Sequence, residues 1–337
     1  MNTRSIVVCA AAAAALAAVI ALAFATGSYP VAFADLLRVL LNWLGGAAHG
    51  LDPTVETVVL QIRGPRVIAA LLVGASLAAA GAAYQNLFRN PLVSPDILGV
   101  SAGAVVGAVL GIFLSLGIVA IQSMALAGGL AAVAMVYVVA RAVRGHDPLL
   151  VLVLAGVVLG SLLGAFVALM KYLADPYNQL PAITFWLLGS LASVSPRDLW
   201  IAGPLMLAGL LPLWLLRWRI NVLSLDDEEA RALGVATVRI RLAVIVGATL
   251  MTSAAVAIAG VIGWIGLVIP HFARLLTGPD FSRLLPVSIV LGAGFLVAVD
   301  TLARSIAHIE VPLGVLTAFI GTPLFLWQLM TARRGWQ

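Results

Sequence analysis

The sequence has little charge, one cysteine and one lysine, and each shortage argues against a class of protein. Only 10% of the 337 residues are charged, whereas soluble domains carry about 25%. Cys9 alone can form neither an internal disulfide nor a cysteine-ligated metal cluster. Lys171 follows Met170, so the chain has no Gly-Lys-Ser/Thr nucleotide-binding loop. The sequence therefore does not fit a soluble protein, a disulfide-stabilised one or an ATPase.

Long apolar runs fill the rest of the chain. Hydrophobic residues make up 63% of it, with a mean hydropathy of +1.13, and about 20 apolar residues cross a bilayer as a helix. The runs predict an all-α polytopic membrane protein with ten transmembrane helices, over residues 5–26, 66–86, 96–115, 118–140, 149–173, 198–216, 240–262, 264–276, 285–303 and 312–331. The first run resembles a signal peptide but is long enough to span, so we expect an uncleaved helix. The eighth is too short to cross unaided.

The arrangement of basic residues predicts the orientation of the chain. With ten crossings both termini lie on one side, and positive residues favour the cytoplasmic side. A cytoplasmic N-terminus leaves six of the 19 basic residues outside: Arg38, Arg63, Arg66, Lys171, Arg197 and Arg304. Both termini are therefore predicted to be cytoplasmic, in one membrane domain over residues 1–337. Short helices outside the spans are expected within residues 27–65 and 174–197.

The stretch "RNPLVSPDILGVSAGA", from Arg89 to Ala104, separates two apolar runs with polar residues and prolines. Ser94 is a good N-cap and Pro95 suits the first helical position, which predicts the start of a helix. Glycines then recur every fourth residue from Gly99 to Gly111, and again at Gly156, Gly160 and Gly164. Such faces allow close helix packing, and they can also border a translocation path. Spacing alone does not separate the two.

Residues 220–235, here called the charged loop, form the most charged segment. Ser224 can cap a short helix, the acidic residues suit its first turn, and Gly234 suits its end. Ala230 and Leu233 leave a small apolar edge that could dock a partner. From the residues alone, a docking segment and a solvated connector are equally well supported.

Few residue patterns in the sequence indicate catalysis. The four histidines lie far apart in sequence, and no metalloprotease or serine-nucleophile motif is present. Asp300, in the ninth span, is the best candidate for a buried group that couples transport to protons. Because Arg304 follows four residues later, an ion pair on one helix face is the simpler interpretation.

Four ordered motifs resemble the FecCD family of membrane permeases: "RNPLVSPDILGVSAGA", "EEARALGV", "GWIGLVIPHFARLL" and "VPLGVLTAFIGTPLFLW". The family comprises subunits of type II ABC importers for ferric siderophores, haem and vitamin B12. The resemblance implies a type II ABC importer fold in the bacterial inner membrane, with two copies of the chain forming a homodimer. It implies two ATPase subunits that bind ATP and Mg, a periplasmic substrate-binding protein, and a lipid bilayer around the dimer. It implies no nucleic acid, and neither a metal, a cofactor nor a catalytic residue in this chain.

The resemblance also implies roles for individual residues. "IRGPR" is similar to the family's Arg-Leu-Pro-Arg, with Gly64 in place of the leucine, and it implies binding-protein docking by Arg63, Arg66 and Arg304. The charged loop becomes the segment that couples to the ATPase, through Asp227, Glu228, Glu229, Ala230, Leu233 and Gly234. The translocation path is assigned to Gly160, Ser161, Gly164 and Met170. The helix-start motif comprises Arg89, Asn90, Pro91, Ser94 and Pro95.

Two alternatives stay open at this point. An ion-coupled secondary carrier would work without partners, and a membrane assembly protein would leave the outer arginines unused. Within the family, a ferric siderophore is the first choice of substrate, followed by haem and vitamin B12, with an oxyanion such as molybdate a minor choice.

Overall fold

The computed structural model describes residues 3–27, 29, 31–43, 52–143, 147–307 and 309–331, and within these ranges the regular structure is helical. The α-helices are α1 (Thr3–Ala25), α2 (Phe33–Trp43), α3 (Pro53–Thr57), α4 (Gly64–Leu87), α5 (Val100–Phe113), α6 (Ile118–Ala142), α7 (Pro148–Leu173), α8 (Gln179–Leu188), α9 (Pro196–Leu215), α10 (Arg217–Val222), α11 (Asp227–Ala232), α12 (Thr237–Ala259), α13 (Ile265–Thr277), α14 (Phe281–Ser305) and α15 (Leu313–Thr331). The prediction of an all-α chain is confirmed.

Within the described ranges, six helical segments are long and apolar enough to cross a membrane: Pro53–Leu87, Ile118–Ala142, Pro148–Leu173, Pro196–Leu215, Thr237–Ala259 and Phe281–Ser305. The other four predicted spans coincide with shorter apolar helices, at Ala10–Ala25, Val100–Phe113, Ile265–Thr277 and Leu313–Gln328. The chain is thus a multi-pass membrane protein. The short helices expected within residues 27–65 and 174–197 are α2 and α8.

Among the predicted boundaries that differ from the structure, two have a local backbone cause. The second span begins earlier, because α3 continues through a π-helical segment, Val58–Arg63, directly into α4. The third span begins later, because Pro95–Leu98 form one turn of 3₁₀-helix that ends at Gly99. Gly99 has a φ of +76°, a left-handed conformation that breaks the helix before α5 starts at Val100.

Helices α4 and α12 form the centre of the bundle. The most apolar window of the Pro53–Leu87 segment is 78% buried and that of α12 72% buried, against 17% for α7. Small residues allow α4 and α12 to be buried so closely. In lipid, apolar burial does not drive helices together, so helices associate through close packing of their backbones. A Cβ atom at Gly74 would overlap the backbone of Gly292 in α14, and one at Gly81 would overlap Gly266 in α13.

The glycine face of α5 packs against α6. A Cβ atom at Gly103 would overlap the backbone of Gly128, and one at Gly107 would overlap that of Met124. Of the two roles that spacing left open for these glycines, the structure therefore supports close helix packing.

Candidate functional site

Five charged side chains gather where α1 and α14 end and α4 begins. They are Arg63, Arg66, Asp300, Arg304 and Glu310, called here the arginine cluster. Arg66 lies at its centre. Its Nε donates to both carboxylate oxygens of Asp300, at 2.9 and 3.1 Å. Its Nη1 and Nη2 donate to the two oxygens of Glu310, at 2.7 and 3.0 Å. Paired hydrogen bonds of this kind make arginine–carboxylate contacts strong and specific in direction.

The other two arginines bind the end of α1. Arg63 donates to the backbone oxygens of Phe24 and Tyr29, and Arg304 donates to those of Ala23, at 3.1 Å, and Thr26, at 3.4 Å. The last carbonyls of a helix lack partners within it and carry partial negative charge. Arg63 and Arg304 therefore satisfy the C-terminus of α1.

The structure brings together all three arginines for which the resemblance implies docking. They are largely buried: Arg63 is 4% and Arg66 is 8% exposed, and the Arg304 side chain is 9% exposed. Their present partners are carboxylates and carbonyls of the same chain. Gly64 leaves the backbone helical, with φ −53° and ψ −59°, so the change from leucine keeps both arginines on one helix end.

Asp300 forms the expected pair with Arg304, with Nε and Oδ2 3.3 Å apart. It is 1% exposed and also pairs with Arg66. Both arginines thus engage this carboxylate within the chain. The structure favours the ion pair over the proton pathway for this residue.

At the other end of α4, Arg89 joins the helix-start motif to the charged loop. Its Nε donates to the Leu223 oxygen at 3.1 Å, its Nη1 donates to Asp226 at 2.9 Å, and its Nη2 donates to the Leu225 oxygen. Asn90 organises the turn, because its side chain accepts from the Leu92 N–H at 2.9 Å. The two segments that sequence reasoning treated separately thus form one surface.

Within the charged loop, α11 is a six-residue helix with its C-cap at Leu233, and the next residue, Gly234, has a φ of +76°. Its N-cap residue is Asp226, so the prediction of Ser224 as the cap is wrong: the Ser224 hydroxyl donates to the Asn221 oxygen instead. Ala230 is fully buried in the chain's own core, so it does not form an apolar edge with Leu233, which is 60% exposed. Glu228 and Glu229 are exposed, and the side chain of Asp227 lies outside the described residues.

A polar cavity of about 450 Å³ opens beside this surface. Its walls include Gln85, Arg89, Asn221, Ser224, Arg274 and Asp280. Arg274 donates to the Gln85 side chain at 3.3 Å, and Gln85 donates to the Leu267 oxygen at 3.1 Å, which ties α13 to α4. Polar side chains from α4, α10, α13 and the start of α14 thus line the cavity together with Arg89.

The assigned path residues lie on α7, whose exposed side faces away from the rest of the chain. A Cβ atom at Gly160 or Gly164 would meet nothing within 4 Å, whereas one at Gly156 would overlap the backbone of Ile97. Ser161 is exposed, and its hydroxyl donates to the Val157 oxygen at 2.9 Å. Met170 differs, because it packs partly buried against α5 and α8. Gly156 therefore packs, while Gly160 and Gly164 border open space.

The rest of the helix-start motif holds the 3₁₀ turn in place. Pro91 and Pro95 are buried, and Ser94 is the N-cap residue of the turn. The Ser94 side chain makes no capping hydrogen bond, contrary to its prediction. Instead, the Ser101 hydroxyl donates to Asp96.

Sequence reasoning missed Glu310, which completes the arginine cluster. A signal was available: Glu310 is a lone carboxylate six residues after Arg304, in a chain whose outer basic residues needed partners. Of the four histidines, His271 is buried in α13, while His49, His146 and His308 lie outside the described residues. Among the residues that the structure describes, no group of three or more His, Cys, Asp or Glu side chains could hold a metal.

Comparison with known proteins identifies relatives along nearly the whole chain. A model of the FecCD transport family matches residues 15–331. The molybdate import system permease protein of Haemophilus influenzae is 38% identical, over 92% of this chain and 91% of its own. A probable iron chelatin transport system permease of Helicobacter pylori is 40% identical, over 94% and 95%. A solved structure described as an inward-facing conformation of a metal-chelate type ABC transporter aligns with a TM-score of 0.86 and 35% identity, over 96% and 98% of the two chains.

Proposed function

The chain belongs to the FecCD transport family, and we propose that it is the membrane-spanning permease subunit of an ABC importer. In this proposal residues 1–337 form one permease domain with ten membrane spans, some of them short or broken. Both termini are cytoplasmic, in the bacterial inner membrane. Arg333 and Arg334, on which the C-terminal orientation depends, lie outside the described residues.

The observation that carries the proposal is the separation of two charged surfaces along α4. From Arg66 to Leu87 the helix rises about 32 Å, at about 1.5 Å per residue, which matches the ~30 Å hydrocarbon core. The arginine cluster lies at one end and the Arg89 contacts with the charged loop lie at the other. A permease that receives substrate on one face and ATP-driven motion on the other needs a docking surface at each end.

In this proposal the arginine cluster faces the periplasm and receives a substrate-binding protein, since arginine binds surface carboxylates well. The charged loop faces the cytoplasm and receives the ATPase subunits, through Glu228, Glu229 and Leu233. ATP and Mg bind to those subunits, and this chain carries no cofactor of its own. The permease is a transport subunit, without a catalytic residue.

The exposed side of α7 supports a homodimer with the path between its two copies. Exposed leucines and valines lie on either side of Gly160 and Gly164, for example Val158 at 70% and Leu162 at 65%. Smooth, small-residue surface suits the passage of a bulky ligand, because glycine leaves room and makes no strong contact. We therefore keep Gly160, Ser161 and Gly164 in the proposed path, with Met170 at its packed end.

Ferric siderophore is the proposed substrate, with haem and vitamin B12 next. The iron chelatin permease relative supports this choice. A second candidate, molybdate, is supported by the relative from Haemophilus influenzae. An ion-coupled carrier is less well supported, because its best candidate group, Asp300, is engaged by Arg66 and Arg304.

Uptake by proteoliposomes tests the proposal. The permease is reconstituted with its cognate ATPase and binding protein, and uptake of radiolabelled ferric siderophore and of molybdate is followed with ATP inside. ATP-dependent uptake that persists when a protonophore is added is expected for an ABC importer. Uptake without ATP that the protonophore abolishes would instead indicate the secondary carrier, and the preferred label distinguishes the two substrates.

A further inference from the structure

The guanidinium of Arg66 is occupied on both edges by carboxylates of its own chain. Asp300 takes the Nε edge, at 2.9 and 3.1 Å. Glu310 takes the end of the group, Nη1 and Nη2, at 2.7 and 3.0 Å. An incoming carboxylate therefore finds no free edge on Arg66.

The two carboxylates differ in how firmly they are held. The side chain of Asp300 is 2% exposed and that of Glu310 is 43% exposed. Asp300 lies within α14 and pairs with Arg304 as well, whereas Glu310 lies in the segment between α14 and α15 and has Arg66 as its ion-pair partner. Releasing Asp300 would leave a buried charge unpaired, which is costly. Releasing Glu310 returns a half-exposed carboxylate to water, while Arg66 keeps its pair with Asp300 and can take a replacement carboxylate at its other edge.

The charge balance of the arginine cluster also indicates that another carboxylate could replace Glu310. Within the arginine cluster, three cations face two carboxylates, so one positive charge is uncompensated. The departure of Glu310 alone would leave two positive charges. Replacing it with another carboxylate would restore the balance and the paired hydrogen bonds together.

We infer that Glu310 occupies the place on Arg66 that a carboxylate of the binding protein takes, so that docking proceeds by exchange of one carboxylate for the other. Asp300 holds Arg66 in position throughout, and Glu310 shields it until the partner arrives. This inference rests on the proposed function. It assigns to Glu310 a competitive role that lowers the affinity of the permease for its binding protein.

The test is the affinity of the loaded binding protein for the complete permease–ATPase complex in lipid nanodiscs. Glu310→Gln and Glu310→Ala remove the competing charge, and we expect each to lower the Kd by about three- to tenfold. Glu56→Gln is the matched control, because Glu56 is an exposed glutamate that precedes Arg63 and Arg66 in the same helical run, Pro53–Leu87. Its Kd should stay within about twofold of wild type, as for most surface changes.

Two results would overturn the inference while leaving the function intact. Glu310 variants that bind with unchanged Kd would mean that the pair with Arg66 does not compete with docking. Variants that bind more weakly, with an unchanged melting temperature, would mean that Glu310 contacts the partner or holds Arg66 in its docking position. If the wild-type complex binds no loaded binding protein at all, the proposed function fails instead.

Discussion

Arg89 and Asp226 are 137 residues apart in sequence and form an ion pair, with Nη1 and Oδ1 2.9 Å apart. The same guanidinium donates to two backbone oxygens of the charged loop, those of Leu223 and Leu225. Arg89 itself has a φ of +50°, an uncommon conformation for a residue other than glycine. Its position thus links the end of α4 to the loop that precedes α11, and we expect the movements of the two segments to be coupled through it.

We predict that Arg89→Ala lowers the stimulation of ATPase activity by the loaded binding protein about five- to tenfold, at the low end of the range for lost coupling between sites. The melting temperature should change little, because the ion pair is exposed and such pairs contribute under about 1 kcal/mol. Arg283→Ala is the control, since Arg283 forms a local, exposed pair with Asp280, three residues earlier, at 3.6 Å. Equal loss of stimulation in both variants would contradict a specific role for Arg89.

Asp300→Asn should destabilise the protein strongly. It removes the buried ion pairs of Asp300 with Arg66 and with Arg304, and breaking a buried ion pair costs about 3–5 kcal/mol. The melting temperature of the purified permease measures this. Asp35→Asn, which removes an exposed pair with Arg38, should cost under about 1 kcal/mol. Similar melting temperatures for the two variants would show that the buried network does not stabilise the fold.

Two glycine-to-alanine changes should have opposite effects on stability. At Gly107 the new methyl group would overlap the backbone of Met124, and overpacking costs about 1–3 kcal/mol. At Gly160 it would enter open space, and alanine is the better helix former by about 0.5–1 kcal/mol. Melting temperatures that fall for Gly107→Ala and hold or rise for Gly160→Ala are expected. The reverse order would contradict the packing of α5 on α6.

Bulky residues on α7 should block transport without unfolding the chain. Gly160→Phe and Gly164→Phe each fill space next to the proposed path, so uptake should fall to background while the melting temperature is kept. Val138→Phe serves as the control, because Val138 is 66% exposed on α6, outside that path. Normal uptake by both glycine variants would exclude this face of α7 from the path.

Sequence patterns predicted which helices form better than they predicted where each helix begins and ends. Runs of apolar residues located each main helix, because membrane thickness sets a minimum length that composition reveals. The boundaries at Gly99 and at residues 58–63 were missed, since a left-handed residue and a π-helical segment depend on local backbone geometry. The prediction that Gly234 suits the end of the short helix is confirmed, because a left-handed residue after a helix is usually a glycine.

The partners of the charged residues were harder to predict than the residues themselves. The pair of Asp300 with Arg304 was predictable, because four residues along a helix bring two side chains together. The contacts of Arg66 with Glu310 and of Arg89 with Asp226 join residues 244 and 137 positions apart. Such contacts depend on helix packing, and no local spacing encodes them.

The most direct test of the central claim is ATP hydrolysis in proteoliposomes. The permease is purified with its cognate ATPase, and activity is measured with and without binding protein loaded with ferric chelate. The account predicts that the ATPase co-purifies and that the loaded binding protein stimulates hydrolysis. If no ATPase co-purifies, and uptake follows a proton gradient instead, the assignment as an ABC importer permease is wrong.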